Sequence, residues 1–175
     1  VIYEDYDRAE LLFDFFDNKK ESVLNDEYGG FAQFMDVDGN IFGGGIGKRW
    51  VGDNAWLLVA INAYHYKTNS NKYADLANSL DTWIRSLQQD DGSILSGYDE
   101  GGNMMAPITE GMIDCYNAVL GYDDFHGKLL NYLENERYDS ENNIIVSWPD
   151  NPQYLYAIDL SSWTYLAMNG TPESV

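Results

Sequence analysis

Residues 53–88 read DNAWLLVAINAYHYKTNSNKYADLANSLDTWIRSLQ, and this stretch decides the fold class. In its second part Tyr73, Leu76, Ala77, Leu80, Trp83, Ile84 and Leu87 recur at the 3, 4, 7 spacing of one helical face. Lys72, Asp75, Asn78, Asp81, Thr82 and Arg85 fill the other side, so the spacing predicts a helix over 71–88 with one face in water. The run from Asp53 to Tyr66 differs: Ala55, Trp56, Leu57, Leu58, Val59, Ala60, Ile61, Ala63 and Tyr64 cover nearly the whole circumference. A helix apolar all round is buried on all sides. The link Lys67 to Asn71 is short and polar, which joins the two as an antiparallel hairpin.

The same pair recurs along the chain. Glu110 to Leu120 carries Met112, Ile113, Cys115, Tyr116, Ala118 and Val119 on most sides, and after Gly121 a one-sided helix presents Phe125, Leu129, Leu130 and Leu133. A third all-round run starts at Asp159 with Leu160, Trp163, Tyr165, Leu166 and Met168, and Tyr6 to Phe16 reads as another. The units end in similar turns: Asp36-Val-Asp-Gly-Asn-Ile41, Asp90-Asp-Gly-Ser-Ile94 and Asp139-Ser-Glu-Asn-Asn-Ile144. This is an internal repeat of roughly 50 residues, one helical hairpin each. The expected fold is all-α, a single domain over residues 1–175. In it, helices lining an axis alternate with helices that sheathe them, with short turns or β-like segments between hairpins. That arrangement is an α/α toroid. An ordinary helical bundle leaves unexplained why each first helix is apolar all round and each second is one-sided.

The residues also resemble a known superfamily. Gly52-Asp53-Asn54-Ala55-Trp56-Leu57, the Lys72–Ala77 helix start, Trp83-Ile84 and Leu87-Gln-Gln-Asp-Asp-Gly92 are similar to six-hairpin glycosidase-type proteins. Thr109-Glu-Gly-Met-Ile-Asp-Cys-Tyr116 looks like their next inner helix, and Ile158-Asp-Leu-Ser-Ser-Trp163 like the one after. The resemblance covers most of Asp5 to Gly170 and implies a fold and a broad substrate class, not a particular reaction. A complete six-hairpin ring implies about twelve helices, and this chain supplies about half of them. The expectation is therefore a partial toroid, completed by further sequence or by another chain.

Composition removes several functions. Of 175 residues, 45% are hydrophobic, enough for a packed core. Lys+Arg is 10 against Asp+Glu 29, a formal charge of -19, which repels nucleic acid and anionic membrane surfaces. No apolar run approaches the roughly 20 residues of a membrane span. Cys115 stands alone, so it forms no internal disulfide and anchors no zinc site; it reads as core. No cofactor and no metal are expected. Gly43 to Arg49 is one residue short of a phosphate loop and carries Arg49 where a Ser or Thr would bind Mg²⁺, so it reads as a flexible loop reaching the cleft with Lys48 and Arg49. Asp36-Val-Asp38-Gly39-Asn40 hints at a calcium loop but misplaces the glycine and lacks the bidentate Glu. His65 and His126 lack metal spacing and read as ordinary helix residues.

In a toroid the inner helices run parallel, so their N-termini open on one end. Asp53, Glu110 and Asp159 stand at or beside those starts, with Trp56, Tyr116 and Trp163 within about a turn and Trp50 just ahead of the first. Sugar processing needs this combination: one carboxylic acid protonates the leaving oxygen, and a second carboxylate activates water or attacks the anomeric carbon. Flat sugar faces stack on aromatic rings, and amide or carboxylate groups take the hydroxyls. Asp53 and Glu110 are the candidate catalytic pair, with Asp114, one turn further in, in reserve. Trp50, Asn54, Trp56, Tyr116, Asp159 and Trp163 are candidate substrate-binding residues. A helix N-terminus favours an ionised carboxylate, hence a base or nucleophile; an acid needs burial against aromatics. The competing reading makes Asp53, Thr109 and Asp159 N-caps and the tryptophans core filling.

Three function classes follow. The first is a glycoside hydrolase-like domain, or a polysaccharide lyase, acting on an oligo- or polysaccharide of low charge. The second is a non-catalytic glycan-binding or assembly module on the same toroid. The third is a terpenoid-cyclase-like toroid, which resembles proteins with an Asp-x-Asp-Asp motif that Asp36-Val-Asp38-Gly39 does not complete.

Overall fold

The computed structural model describes residues 4–43, 45–157, 160 and 162–164. The architecture is mostly α, about 52% helical. Helix α1 (Tyr6–Lys19) runs on into a π-helical turn (Lys20–Leu24), and β1 (Arg49–Trp50) leads directly into α2 (Val51–Thr68). After α3 (Ala74–Ser86) come β2 (Gly97–Tyr98) and β3 (Met104–Met105), then α4 (Thr109–Ala118) and α5 (Asp124–Tyr132), extended by a π-helical turn (Leu133–Arg137). The strands β4 (Tyr138–Asp139) and β5 (Ile144–Ile145) and a 3₁₀ turn (Pro152–Tyr154) follow. No helix among the described residues is long and apolar enough to cross a membrane.

The two expected hairpins are present. Asn69 in the left-handed region ends α2, and the short link returns the chain so that Tyr73 packs 5.6 Å from Tyr64. On α3, Leu76, Ala77, Leu80, Trp83 and Ile84 are buried. In the second hairpin α5 buries Phe125, His126, Leu129 and Tyr132. The His126 ring ties it back to α4's end through Nδ1 to Asp123 and Nε2 to the Val119 carbonyl. Cys115 lies in the core, fully buried.

Helices α2 and α4 lie side by side and parallel. At their N-terminal ends a methyl group at Gly111 would stand 3.0 Å from Val51 Cγ1, and one at Gly52 would stand 3.5 Å from the Gly111 Cα. Towards their C-terminal ends Asn62 donates to the Ala118 carbonyl at 2.9 Å. The glycine contact lets the helix starts approach closely, as Gly does wherever a side chain would keep two backbones apart.

Three expectations are corrected. The Tyr6–Phe16 run is one-sided: Ala9 and Phe13 are buried, whereas Leu11 and Leu12 are exposed. Its buried face is the one that carries Phe13, edge-on to Tyr64 and Tyr73. Glu10 and Asp14 pair with Lys72. Helix α2 is likewise not closed on all sides, since Leu57, Val59, Ala60 and Ala63 are only part-buried and Trp56 is exposed. Arg49 does not reach a cleft. Its side chain is 1% exposed, clamps Asp26 at 2.6 and 2.7 Å, and donates to the carbonyls of Val23, Gly29, Gly30 and Ile46. One buried guanidinium thereby gathers the irregular 23–30 segment under β1. Trp83 fills the space beside Gly29 and Gly30, and its indole N–H donates to the Tyr28 carbonyl.

The repeated turns share a device. The carboxylates of Asp36, Asp91 and Asp139 accept N–H groups two or more residues ahead, at Asp38 and Asn40, at Ser93, and at Glu141 and Asn142. Antiparallel pairings flank each one, Met35 with Ile41, Gln88 with Ile94, and β4 with β5. These aspartates organise their own loops, the behaviour of Asx turns.

Candidate active site

The ends of α2 and α4 that begin side by side open into a cavity of about 540 Å³. Asp53, Glu110 and Asp114 line it, with Trp50, Trp56, Trp148 and Tyr154. Gln33, Ser96, Ile108, Ser147 and Ala157 also line it.

Helical geometry explains how three carboxyl groups meet there. With about 100° per residue, Thr109 and Gly111 lie on nearly opposite flanks of α4, and Glu110 and Asp114 project between them. Gly111 faces Val51 and Gly52 on α2. Thr109 faces the other way, its N–H donating to the Ser147 carbonyl and its hydroxyl to the Val146 carbonyl. The carboxyl-bearing face of α4 is thus held between α2 on one flank and the 146–157 segment on the other. Asp53, in the first turn of α2, enters the same space.

Capping accounts for none of these positions. The N-cap residues of α2 and α4 are Trp50 and Ile108, without side-chain cap bonds, so Asp53 and Thr109 do not carry the structural duty that the competing reading assigns them.

Asp114 is the electrostatic centre. It is 8% exposed. Burial, then the negative charges of Glu110 and Asp53, push its carboxyl up to about 7, with hydrogen bonding from Trp56 acting the other way. Asp53 is also raised, by burial. Asp53 and Glu110 are exposed while Asp114 is enclosed, so it is at Asp114 that burial and the neighbouring charges favour the protonated form. The cavity therefore holds one carboxyl that titrates near neutrality beside two more exposed carboxyl groups.

The candidate binding residues divide. Trp50 and Trp56 line the cavity, and Trp56 is 56% exposed there rather than in the core. Asn54 does not line it. Its carboxamide accepts from the Phe31 amide and donates to the Phe31 and Trp50 carbonyls, so it is a structural strut. Tyr116 also turns away, buried against Tyr122 and His126 on the α5 side. Trp163 is half-buried against the core, and Asp159 lies outside the described residues. Lys48 stands over the Trp50 ring at 4.8 Å.

Trp148, Tyr154 and Gln33 were not anticipated. Trp148 lies three residues beyond β5 and belongs to no helical face, so helical periodicity gave no signal for it. No protein family model matches the chain, and neither a curated protein nor a solved structure does.

Proposed function

We propose that the chain is a glycan-processing domain of glycoside hydrolase type, built on an arc of an α/α toroid. What supports the arc is the parallel pair α2 and α4, each followed by a helix, α3 or α5, that packs back against it. The part-covered side of α2 is then the side that faces the ring axis.

The observation that carries the reading is the carboxyl triad, with Asp114 raised to about 7, inside a cavity lined by four aromatic rings. Asp114 is the general acid. It gives its proton to the glycosidic oxygen as the bond from that oxygen to the anomeric carbon breaks. Glu110, in the first turn of α4 where the helix dipole favours negative charge, takes a proton from water or attacks the anomeric carbon. Asp53 adds negative charge that keeps the proton on Asp114. Trp56 supplies a flat apolar face for the sugar ring.

The test is a panel of neutral oligosaccharides screened by thermal shift and by release of reducing ends. Turnover that disappears in Asp114→Asn and Glu110→Gln while binding is kept supports hydrolysis. Binding without turnover in the unaltered protein assigns it instead to a glycan-binding module, and no binding to any member rejects the reading.

A further inference from the structure

We infer that Tyr154, backed by Trp148, is a second sugar-binding platform on the far side of the carboxyl groups from Trp56, so that the ligand is a glycan of at least two units lying across Glu110 and Asp114. This rests on the glycan reading of the cavity and adds a subsite and a minimum ligand length to it.

The order of groups around α4 is the first reason. Gly111 meets α2, and with it Trp50 and Trp56; Thr109 holds residues 146 and 147, and with them Trp148 and Tyr154. Glu110 and Asp114 stand between. The two aromatic clusters therefore flank the acid groups, and a ligand stacked on both carries a linkage between them.

The second reason is how the pair is presented. Trp148 and Tyr154 stack with centroids 6.2 Å apart and planes 29° from parallel. Favourable carbon contacts need about 3.5–4.0 Å on each face, so a sugar ring does not fit between them. Trp148 is half-buried and Tyr154 is 54% exposed, which leaves Tyr154 as the outward surface and Trp148 as its support. The loop is tied in place: the Ser147 amide donates to the Leu155 carbonyl at 2.8 Å, and the Tyr154 amide to the Asn151 carbonyl at 2.9 Å. Asn151 also caps the 3₁₀ turn through the Gln153 amide. A platform already ordered loses little entropy on binding. A cavity of about 540 Å³ falls within the roughly 300–1,000 Å³ of sites for drug-sized ligands, the class of a disaccharide.

The experiment uses cello-, manno-, xylo- and malto-oligosaccharides of one to six units, titrated calorimetrically into the protein. In whichever series binds, affinity rises from one unit to two or three. Tyr154→Ala removes that gain, about tenfold for two or more units, whereas Tyr154→Phe keeps it. Trp56→Ala weakens every length. If Tyr154→Ala binds all lengths as the unaltered protein does, the second platform is refuted and the glycan reading stands. If the unaltered protein binds no member of any series, both fall together.

Discussion

The Asp114 carboxylate on α4 rests against Gly52 on α2: a methyl group at Gly52 would stand 2.9 Å from Asp114 Oδ2. The contact couples helix packing to the chemistry of the cavity, because the room that encloses Asp114 exists only while residue 52 has no side chain.

Gly52→Ala therefore displaces the Asp114 side chain. The expected result is a cooperative fold with a small loss of stability, about 1–3 kcal/mol as for other overpacked sites. The proposed turnover drops at least tenfold. Denaturant unfolding and initial rates measured on the same preparation check it; full activity in Gly52→Ala would show that the contact is dispensable.

The pH dependence follows from the raised carboxyl of Asp114. Between its ordinary value of 3.8 and about 7 the folded chain holds a proton that the unfolded chain has released. This contribution to stability is complete below about pH 4 and is lost as pH rises through about 7. Asp114→Asn removes the titration, so its melting temperature exceeds that of the parent at pH 8, and the gap closes at pH 4. Each tenfold change in proton affinity is worth about 1.36 kcal/mol, which sets a ceiling of about 4 kcal/mol on the difference. Thermal melts at the two pH values decide it. The rate of an Asp114-dependent reaction falls on the alkaline side of about 7, because the acid must arrive protonated.

Arg49 and Asp26 form the opposite case. Burial works to raise the Asp26 carboxyl, but hydrogen bonds from Arg49 and from the Tyr28 and Gly29 amides outweigh it and hold the group below its ordinary value. Its contribution is present above 3.8 and is lost as pH falls through the lower folded value. Arg49→Met leaves Asp26, whose side chain is 30% exposed, without its ion-pair partner and strands four carbonyls, at a cost of about 1–3 kcal/mol, the penalty for leaving buried groups unsatisfied. Arg49→Lys recovers little, since an ammonium cannot reproduce the two-pronged contact. Chemical denaturation of both variants at pH 7 tests this; a loss under about 1 kcal/mol for Arg49→Met, the range of an exposed pair, would be inconsistent with it.

Gly30→Ala tests the seat of Trp83. Residue 30 has φ +74, and an added methyl would meet Trp83 Cζ2 at 2.4 Å. Backbone strain of about 1–3 kcal/mol then adds to the displaced indole. The expected signature is a lowered unfolding midpoint with a shift in tryptophan emission. Retention of both parent values would contradict the packing.

Much of this protein was legible in its sequence. The 3, 4, 7 spacing of Leu76, Leu80, Trp83 and Ile84 determined the one-sided α3 with its buried face, whereas the apolar circumference of 55–64 predicted an α2 buried on all sides and the folded chain leaves Trp56 exposed and Leu57, Val59, Ala60 and Ala63 part-buried. Asp53 and Glu110, which stand in the first turns of the two helices expected to be apolar all round, share one cavity with Trp50 and Trp56, and parallel helices that start level bring their first turns together. What periodicity conveys is which side chains share a face of one helix. It is silent on which neighbour that face meets. Asn54 and Asp53 are adjacent in sequence, yet one is a strut under Phe31 and the other enters the cavity, a division made by the rotation of α2 against α4 at the Gly52–Gly111 contact. The same contact encloses Asp114 and so sets its proton affinity, and the Thr109 bonds to residues 146 and 147 carry Trp148 and Tyr154 to the opposite wall. Those outcomes belong to tertiary structure, because burial and the separation between charges are properties of space between elements that no single element's pattern contains.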